Sequence, residues 1–197
     1  MIVDNTRLQK AIEKFDAENS KDPHKETYKG KEYPKELLYA IRMTEWLLKL
    51  DPEASEALQL AARSQHICRW TSPRESFPMD KKGYLLWRTE LKKFHAEKAA
   101  GILKECDYDD ETIRRVEDLI LKKKIKSDPE SQLLEDVVCL VFLENYFEDF
   151  SEKHEPEKVI DIIRKTWKKM SEKGHQAALN LDLPQAAHRL VEQALQA

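Results

Sequence analysis

The chain has 197 residues, of which 41% are hydrophobic and 36% are charged, and its formal net charge at pH 7 is −3. This length favours one domain with a sizeable core. The slightly acidic balance argues against a general nucleic-acid partner, although it leaves room for a local basic pocket. No segment approaches the roughly 18 apolar residues that a membrane-spanning helix needs, so we predict no membrane partner.

Three cysteines, Cys68, Cys106 and Cys139, lie far apart in the sequence. Their spacing matches neither a disulfide framework nor a zinc knuckle, and it fits a reducing compartment. The first residues lack the apolar stretch of a signal peptide. We therefore expect a cytoplasmic protein. Its oligomeric state does not follow from these patterns.

The composition predicts an all-α fold. Only 4 glycines occur, and the helix-favouring residues Lys, Glu, Leu and Ala are abundant. No Asn-Gly or Asp-Gly turn and no sustained alternation of β-branched residues indicates a pair of strands. In chain order, we expect a helix over 3–20, a loop over 21–34, a helix from Pro34 to residue 50, and a helix from Glu53 to about Arg69.

A basic and aromatic loop follows over residues 66–78, and its character continues into the helix behind it. We expect this region to hold a flat anionic ligand, such as the phosphate and base of a nucleotide. Ordinary cation–aromatic packing that fixes the loop is the alternative. The predicted substrate-binding residues, one of them on a later helix, are Arg69, Trp70, Arg74, Tyr84, Arg88 and Lys165.

The remaining chain predicts further helices, whose boundaries follow from capping and proline signals. They are a long helix over 81–106, a helix capped by Asp109 or Asp110, a central helix from Asp128 to about Phe150, a helix from Glu155 with Gly174 as its C-cap, and a short last helix after Pro184. We expect a single globular helical domain over 1–183, with a C-terminal helix over 184–197 packed on it or extending from it.

The most apolar run of the chain, Leu133–Leu143, carries two adjacent carboxylates, Glu135 and Asp136. Such a run is expected in the core, where a carboxylate is costly unless it is paired, hydrogen-bonded or bound to a metal. One of the two is a candidate general base or metal ligand and the other its supporting partner, so both are predicted catalytic residues. The alternative is a helix N-terminal carboxylate that pairs with Lys or Arg.

His66 and His95 are the candidate metal ligands besides Asp136. His66 shares one helical face with Leu58 and Ala62, where a core contact is expected. Two histidines and a carboxylate from three separate helices suit a divalent metal such as Mn, Fe, Zn or Mg. Satisfied core histidines are the alternative, because buried polar groups are commonly hydrogen-bonded.

Five blocks of sequence carry a resemblance: Ala62–Arg74, Gly83–Arg88, Phe94–Glu97, Leu134–Glu144 and Lys165–Ser171. On these blocks the chain resembles, over about residues 1–183, an uncharacterised family that carries a domain-of-unknown-function label. Some members of that family are labelled glutamyl-tRNA synthetase, and Lys169–Lys173 is similar to the KMSKS loop of such enzymes, as His66-Ile67 is to the start of their HIGH motif. Because the chain has no parallel-strand pattern, we interpret Lys169–Lys173 instead as the basic last turn of a helix.

This family is in turn distantly similar to HD-domain phosphohydrolases, which are all-helical and bind a divalent metal. The resemblance implies an HD-like core, in which His66 matches the His of the His-Asp pair and His95 an additional histidine. Ile67 stands where the paired Asp is expected, and Val138 stands where the usual later Asp ligand is expected. The resemblance therefore implies either a rearranged site or a fold that has lost metal and hydrolysis.

Together these patterns predict binding of a phosphorylated small molecule, with a nucleotide as the first choice, between the loop 69–78 and the central helix. Metal-dependent hydrolysis of a phosphate ester is an added hypothesis. The competing hypothesis is a non-catalytic interaction or scaffold protein, in which the same polar residues form a buried structural network.

Overall fold

A computed structural model describes residues 5–123, 125 and 127–195. The chain divides into two compact units, Met1–Lys123 and Lys124–Ala197, which we call the N-terminal unit and the C-terminal unit. Helices dominate both units, which confirms the predicted helical class. The HD-like core and the boundary at residue 183 stay predictions, and the predicted helix start at residue 3 lies outside the described residues. None of the described helices is long and apolar enough to cross a membrane.

The N-terminal unit is a helical bundle with one hairpin. Its helices are α1 (Asn5–Asn19), α2 (Lys35–Leu50), α3 (Glu56–Ser64), α4 (Lys81–Glu105) and α5 (Asp110–Ile120). Helix α3 packs against α1, α2 and α5. This packing fully buries its apolar side chains Leu58, Leu60 and Ala61. The long α4 packs against α1 and α5. As predicted, the side chain of Asp109 caps α5 by accepting from the Thr112 amide.

The segment predicted as a loop over 21–34 contains a β-hairpin, so that prediction is wrong. Strands β1 (Lys25–Tyr28) and β2 (Lys31–Pro34) pair antiparallel, with Tyr28 opposite Lys31. The two turn residues, Lys29 and Gly30, have φ angles of 49° and 75°, as a type I′ hairpin turn requires. A lysine takes the first position that Asn or Asp commonly occupies, and the usual dipeptide signal is therefore missing.

The third helix is shorter than predicted, and this changes the setting of His66. Helix α3 ends at Ser64, and a turn over residues 65–68 follows it. Cys68 closes that turn in the left-handed region, with a φ angle of 55°. A left-handed residue ends a right-handed helix. His66 therefore lies in a turn and not on the helical face shared by Leu58 and Ala62.

The C-terminal unit consists of α6 (Pro129–Asn145), α7 (Phe147–Glu152), α8 (Pro156–Trp167), α9 (Glu172–Leu179) and α10 (Gln185–Leu195). The predicted central helix is α6, capped by Asp128 as expected, but it ends at Asn145 and not at about Phe150. The backbone breaks at Tyr146, where φ is −130° and ψ is −10°. Helix α10 packs against α7 and α8.

Gly174 is not the C-cap of the preceding helix, so this prediction is also wrong. Helix α8 ends at Trp167, and α9 begins at Glu172 with Ser171 as its N-cap. The segment Lys169–Lys173 is therefore not the last turn of a helix. Gly174 lies in the first turn of α9, where a Cβ atom would sit 2.8 Å from Asp136 Oδ1. The glycine permits α9 to approach that carboxylate closely.

Candidate functional site

His66 lies in a turn that hydrogen bonds fix to α1 on one side and to α4 on the other. The Cys68 amide donates to Asn19 Oδ1 over 3.0 Å, which ties the turn to the end of α1. The Ile67 carbonyl accepts from His95 Nδ1 over 2.8 Å, which ties it to α4. Between these anchors the His66 ring stacks on Tyr39 of α2, with ring centres 4.0 Å apart and planes 11° apart. The side chain of His66 keeps 23% of its surface exposed.

His95 lies deeper, and its hydrogen bond defines its tautomer. Its exposed fraction is 3%, and its ring centre is 5.8 Å from that of His66. Because a carbonyl oxygen can only accept, the bond to Ile67 places the proton on Nδ1. The Nε2 atom therefore carries a lone pair, and within the described chain this buried atom has no hydrogen-bond partner. The structure thus brings these two predicted metal ligands close together.

Glu36 lies beside His66, although no sequence pattern predicted it as a site residue. Its Oε2 atom lies 3.5 Å from His66 Nδ1, which is itself buried and without a hydrogen bond in the described part of the molecule. The buried Asp22 fixes the start of α2 here by accepting from the Glu36 amide over 3.0 Å. We call Glu36, His66 and His95 the imidazole–carboxylate cluster.

Burial and nearby positive charges keep both imidazole rings of this cluster uncharged. Burial lowers the pKa of His66 well below its usual range, and the charges of Arg69, Lys122 and Arg88 lower it further. Burial lowers the pKa of His95 to about 3, with a further contribution from His66. Burial raises the pKa of Glu36, while the Arg69 guanidinium opposes that shift. At neutral pH, both rings can accept or donate hydrogen bonds without carrying charge.

Beside this cluster, arginines and aromatic rings form a second group. The Arg69 guanidinium lies 5.4 Å from the centre of the Trp87 ring, and that of Arg88 lies 5.8 Å from the centre of the Tyr84 ring. The two rings are 6.0 Å apart, and Trp87 is fixed because its Nε1 donates to the Ser72 carbonyl. We call Arg69, Arg74, Tyr84, Trp87 and Arg88 the arginine–aromatic cluster. Most of the predicted substrate-binding residues therefore meet in one place.

Within the arginine–aromatic cluster, the Arg74 guanidinium lies 5.9 Å from the ring centres of both Tyr84 and Trp87. It also donates to the carbonyls of Phe77, Pro78 and Asp80, and thereby holds the loop in front of α4. The two remaining predicted substrate-binding residues, Trp70 and Lys165, have different surroundings. Trp70 is half-buried within the short 3-10 turn Arg69–Thr71. Lys165 lies in the C-terminal unit on α8, where it is exposed and contacts Asp161 at 2.5 Å. Their roles in substrate binding stay predictions.

Glu135 and Asp136 are buried on α6, as the apolar run predicted. Asp136 Oδ1 accepts from the Ser171 amide over 2.7 Å, and its Oδ2 accepts from the Ser171 hydroxyl. Glu135 Oε1 lies 3.9 Å from Lys169 Nζ. Both carboxylates thus contact the α8–α9 connection. Of the two, Glu135 lies near a lysine, as the structural alternative predicts, whereas Asp136 binds a serine. Their catalytic roles stay predictions.

The divalent metal implied by the HD resemblance needs a set of converging ligands. In residues 5–123, 125 and 127–195, no three His, Cys, Asp or Glu side chains come together in a way that could hold a metal ion. Both side-chain oxygens of Asp136 accept hydrogen bonds from Ser171. The described side chains therefore do not fit a metal centre. Metal binding by His66, His95 and Asp136 stays a prediction, and no step below passes through a metal.

Comparison with known proteins gives one match. A family model described as "Domain of unknown function (DUF4202)" matches residues 9–191, which is nearly the whole chain. Comparisons with curated proteins and with solved structures gave no match. The family description names no activity, so it does not decide between the functional hypotheses. The extent of the match is nevertheless sufficient to show that the chain belongs to the DUF4202 family.

Proposed function

We propose that the N-terminal unit binds a phosphorylated small molecule and that Arg69 and Arg88 hold its phosphate. The main support for this proposal is that neither arginine forms an ion pair in the described part of the chain. Among the described residues, no carboxylate lies within ion-pair distance of either guanidinium. Two arginines that aromatic rings hold in place, without a carboxylate partner, provide a preorganised site for an anion.

The chemistry of these groups favours phosphate. A guanidinium donates two parallel hydrogen bonds to a phosphate, and it remains charged at all relevant pH values. Tyr84 and Trp87 supply aromatic surface beside the guanidiniums, and Tyr84 keeps 42% of its surface exposed. A flat group on the same ligand, such as a nucleobase, would find a stacking surface there. Nucleotides are therefore the first probes to test.

Isothermal titration calorimetry and thermal shift with AMP, ADP and ATP test this proposal. We expect saturable binding and an increased melting temperature, because a ligand that binds only the folded state stabilises it. The double variant Arg69→Gln, Arg88→Gln should bind at least about tenfold more weakly, since a charged hydrogen bond contributes about 1.5–3 kcal/mol.

The matched control is Arg114→Gln, which removes an exposed arginine from α5 of the same unit. It should bind like the wild type. Equal affinity in the double variant, or no binding by any phosphorylated probe including inorganic phosphate, would contradict the proposal. The latter result favours the non-catalytic interaction protein.

Hydrolysis is a separate hypothesis with its own measurement. Elemental analysis of the purified protein would show bound Mn, Fe, Zn or Mg, and release of inorganic phosphate from nucleotides would show turnover. Phosphate release that depends on an added metal would support the predicted phosphohydrolase. Binding without metal and without turnover would limit the function to ligand binding.

A further inference from the structure

The imidazole–carboxylate cluster contains polar atoms that phosphate binding does not use. His66 Nδ1 and His95 Nε2 are buried and have no hydrogen-bond partner among the described residues. Glu36 Oε2 lies 3.5 Å from the first of these atoms. A buried polar atom without a partner costs about 1–3 kcal/mol, so two such atoms on neighbouring rings, one of them close to a buried carboxylate, point to a ligand that completes them.

The atoms specify which group the ligand must offer. The Glu36 carboxylate and His95 Nε2 are acceptors, so they need hydrogen-bond donors. The His66 Nδ1 atom donates or accepts according to its tautomer. A hydroxyl group donates one hydrogen bond and also accepts, so two or more hydroxyl groups can serve the three positions, whereas an ammonium group can only donate.

The local positive charge disfavours a cationic ligand group. Besides burial, the charges of Arg69, Lys122 and Arg88 each lower the pKa of His66, which means that they oppose a positive charge at its ring. Arg69 also acts on Glu36 and His95. An ammonium group would therefore meet repulsion from the same arginines that attract a phosphate. A neutral hydroxyl meets no such penalty.

We propose that the imidazole–carboxylate cluster binds the hydroxyl groups of a sugar phosphate, whose phosphate lies on Arg69 and Arg88. This inference rests on the proposed function and adds a substrate class to it. The sugar phosphate is either free or part of a nucleotide, since both offer hydroxyls next to a phosphate ester. Glu36 is then a specificity-determining residue, because it provides the charged acceptor.

Calorimetry on the full chain at neutral pH with four probes tests the inference: ribose 5-phosphate, AMP, ethyl phosphate and inorganic phosphate. Ribose 5-phosphate or AMP should bind at least about tenfold more tightly than ethyl phosphate, which lacks hydroxyls, because buried acceptors are left unpaired with the latter. Tighter AMP identifies a nucleotide, and tighter ribose 5-phosphate identifies a free sugar phosphate. Tighter ribose 5-phosphate supports the inference directly. Tighter AMP alone supports it only if the variants below reduce the preference, because base stacking on Tyr84 and Trp87 also favours AMP; an AMP preference that both variants retain overturns the inference.

The failures of the two proposals are distinguishable. If ethyl phosphate binds as tightly as both hydroxyl-bearing probes, the inference is overturned and phosphate binding stands. If none of the four probes binds, both are overturned. These results come from the wild-type protein, so they do not depend on whether a variant folds.

Variants of the imidazole–carboxylate cluster test whether the preference for hydroxyl-bearing probes depends on its residues. His66→Phe keeps a ring on Tyr39 and removes Nδ1, and Glu36→Gln removes the charge at nearly constant shape. Each should reduce the preference for the hydroxyl-bearing probe over ethyl phosphate at least about fivefold. Glu97→Gln, at an exposed position of α4, is the control and should leave the preference unchanged. An unchanged preference in both cluster variants would overturn the assignment.

A metal titration completes the experiment. Zn or Mn added alone should give no stoichiometric binding that depends on His66. A cation that binds one to one in the wild type, and is lost in His66→Phe, would overturn the inference by assigning the same atoms to a metal.

Discussion

Folding confines the His95 imidazole to its neutral form, which makes stability depend on pH. Its pKa is about 3 in the folded protein, against 6.5 for a free histidine. At a pH between these two values, the unfolded chain binds a proton that the folded protein does not bind. The contribution of His95 to the free energy of unfolding is therefore fully present above pH 6.5 and is lost as the pH falls toward 3. At pH 4 the loss amounts to ~3 kcal/mol for His95 alone.

Urea unfolding at pH 7 and pH 4 measures this dependence, with His95→Phe as the comparison. The variant loses the bond to Ile67, so it should be less stable than the wild type at pH 7. It should nevertheless lose less stability between pH 7 and pH 4. The same loss in both proteins would show that another group dominates. Glu36 acts in the opposite direction, because its raised pKa penalises the folded state as the pH increases through that value.

Two helical glycines of this chain predict opposite results for the same substitution. Gly174→Ala should destabilise the protein by about 1–3 kcal/mol, since the new methyl group would meet the buried Asp136 carboxylate between α9 and α6. Gly101→Ala on α4 should stabilise it by about 0.5–1 kcal/mol, because nothing lies within 4 Å of the added atom. Denaturant unfolding of both variants gives the comparison. A stabilising Gly174→Ala would show that α9 does not pack closely on α6.

At the level of elements, local signals predicted where helices begin better than where they end. Asp109 and Asp128 each cap a helix as expected, because a cap is a contact between near neighbours in sequence. The ends of α3 and α6 depend on contacts that sequence does not show. Asn19, far away in sequence, accepts from Cys68 and fixes the turn beyond α3.

The candidate site was predictable to the extent that its residue types were conspicuous. His66, His95 and the arginines of the basic loop were identified, and they do lie together in the N-terminal unit. Glu36 was missed because Lys35-Glu36 resembles a solvated first helical turn. The burial of Glu36 depends on Asp22 and on the hairpin segment that precedes α2. The sequence predicts a loop for that segment.

Across the whole molecule, the three cysteine side chains are buried thiols and none is in a disulfide, with Cys68 and Cys106 in one unit and Cys139 in the other. Burial raises the pKa of Cys68 to about 11 and also raises that of Cys106. Because the thiolate is the reactive form, the folded protein should react very slowly with an aromatic disulfide reagent. Three thiols should react promptly after denaturation in guanidinium chloride. A thiol that reacts within seconds in the folded protein would contradict this picture.

The bond from His95 Nδ1 to the Ile67 carbonyl also gives the protein an internal spectroscopic label. A ring proton that is buried and hydrogen-bonded exchanges slowly with water, and proton magnetic resonance can then detect it without isotopic enrichment. Its resonance would shift when a molecule contacts the opposite nitrogen of the same ring. A single line in the spectrum can therefore report when the site is filled, even for a ligand whose binding releases no heat.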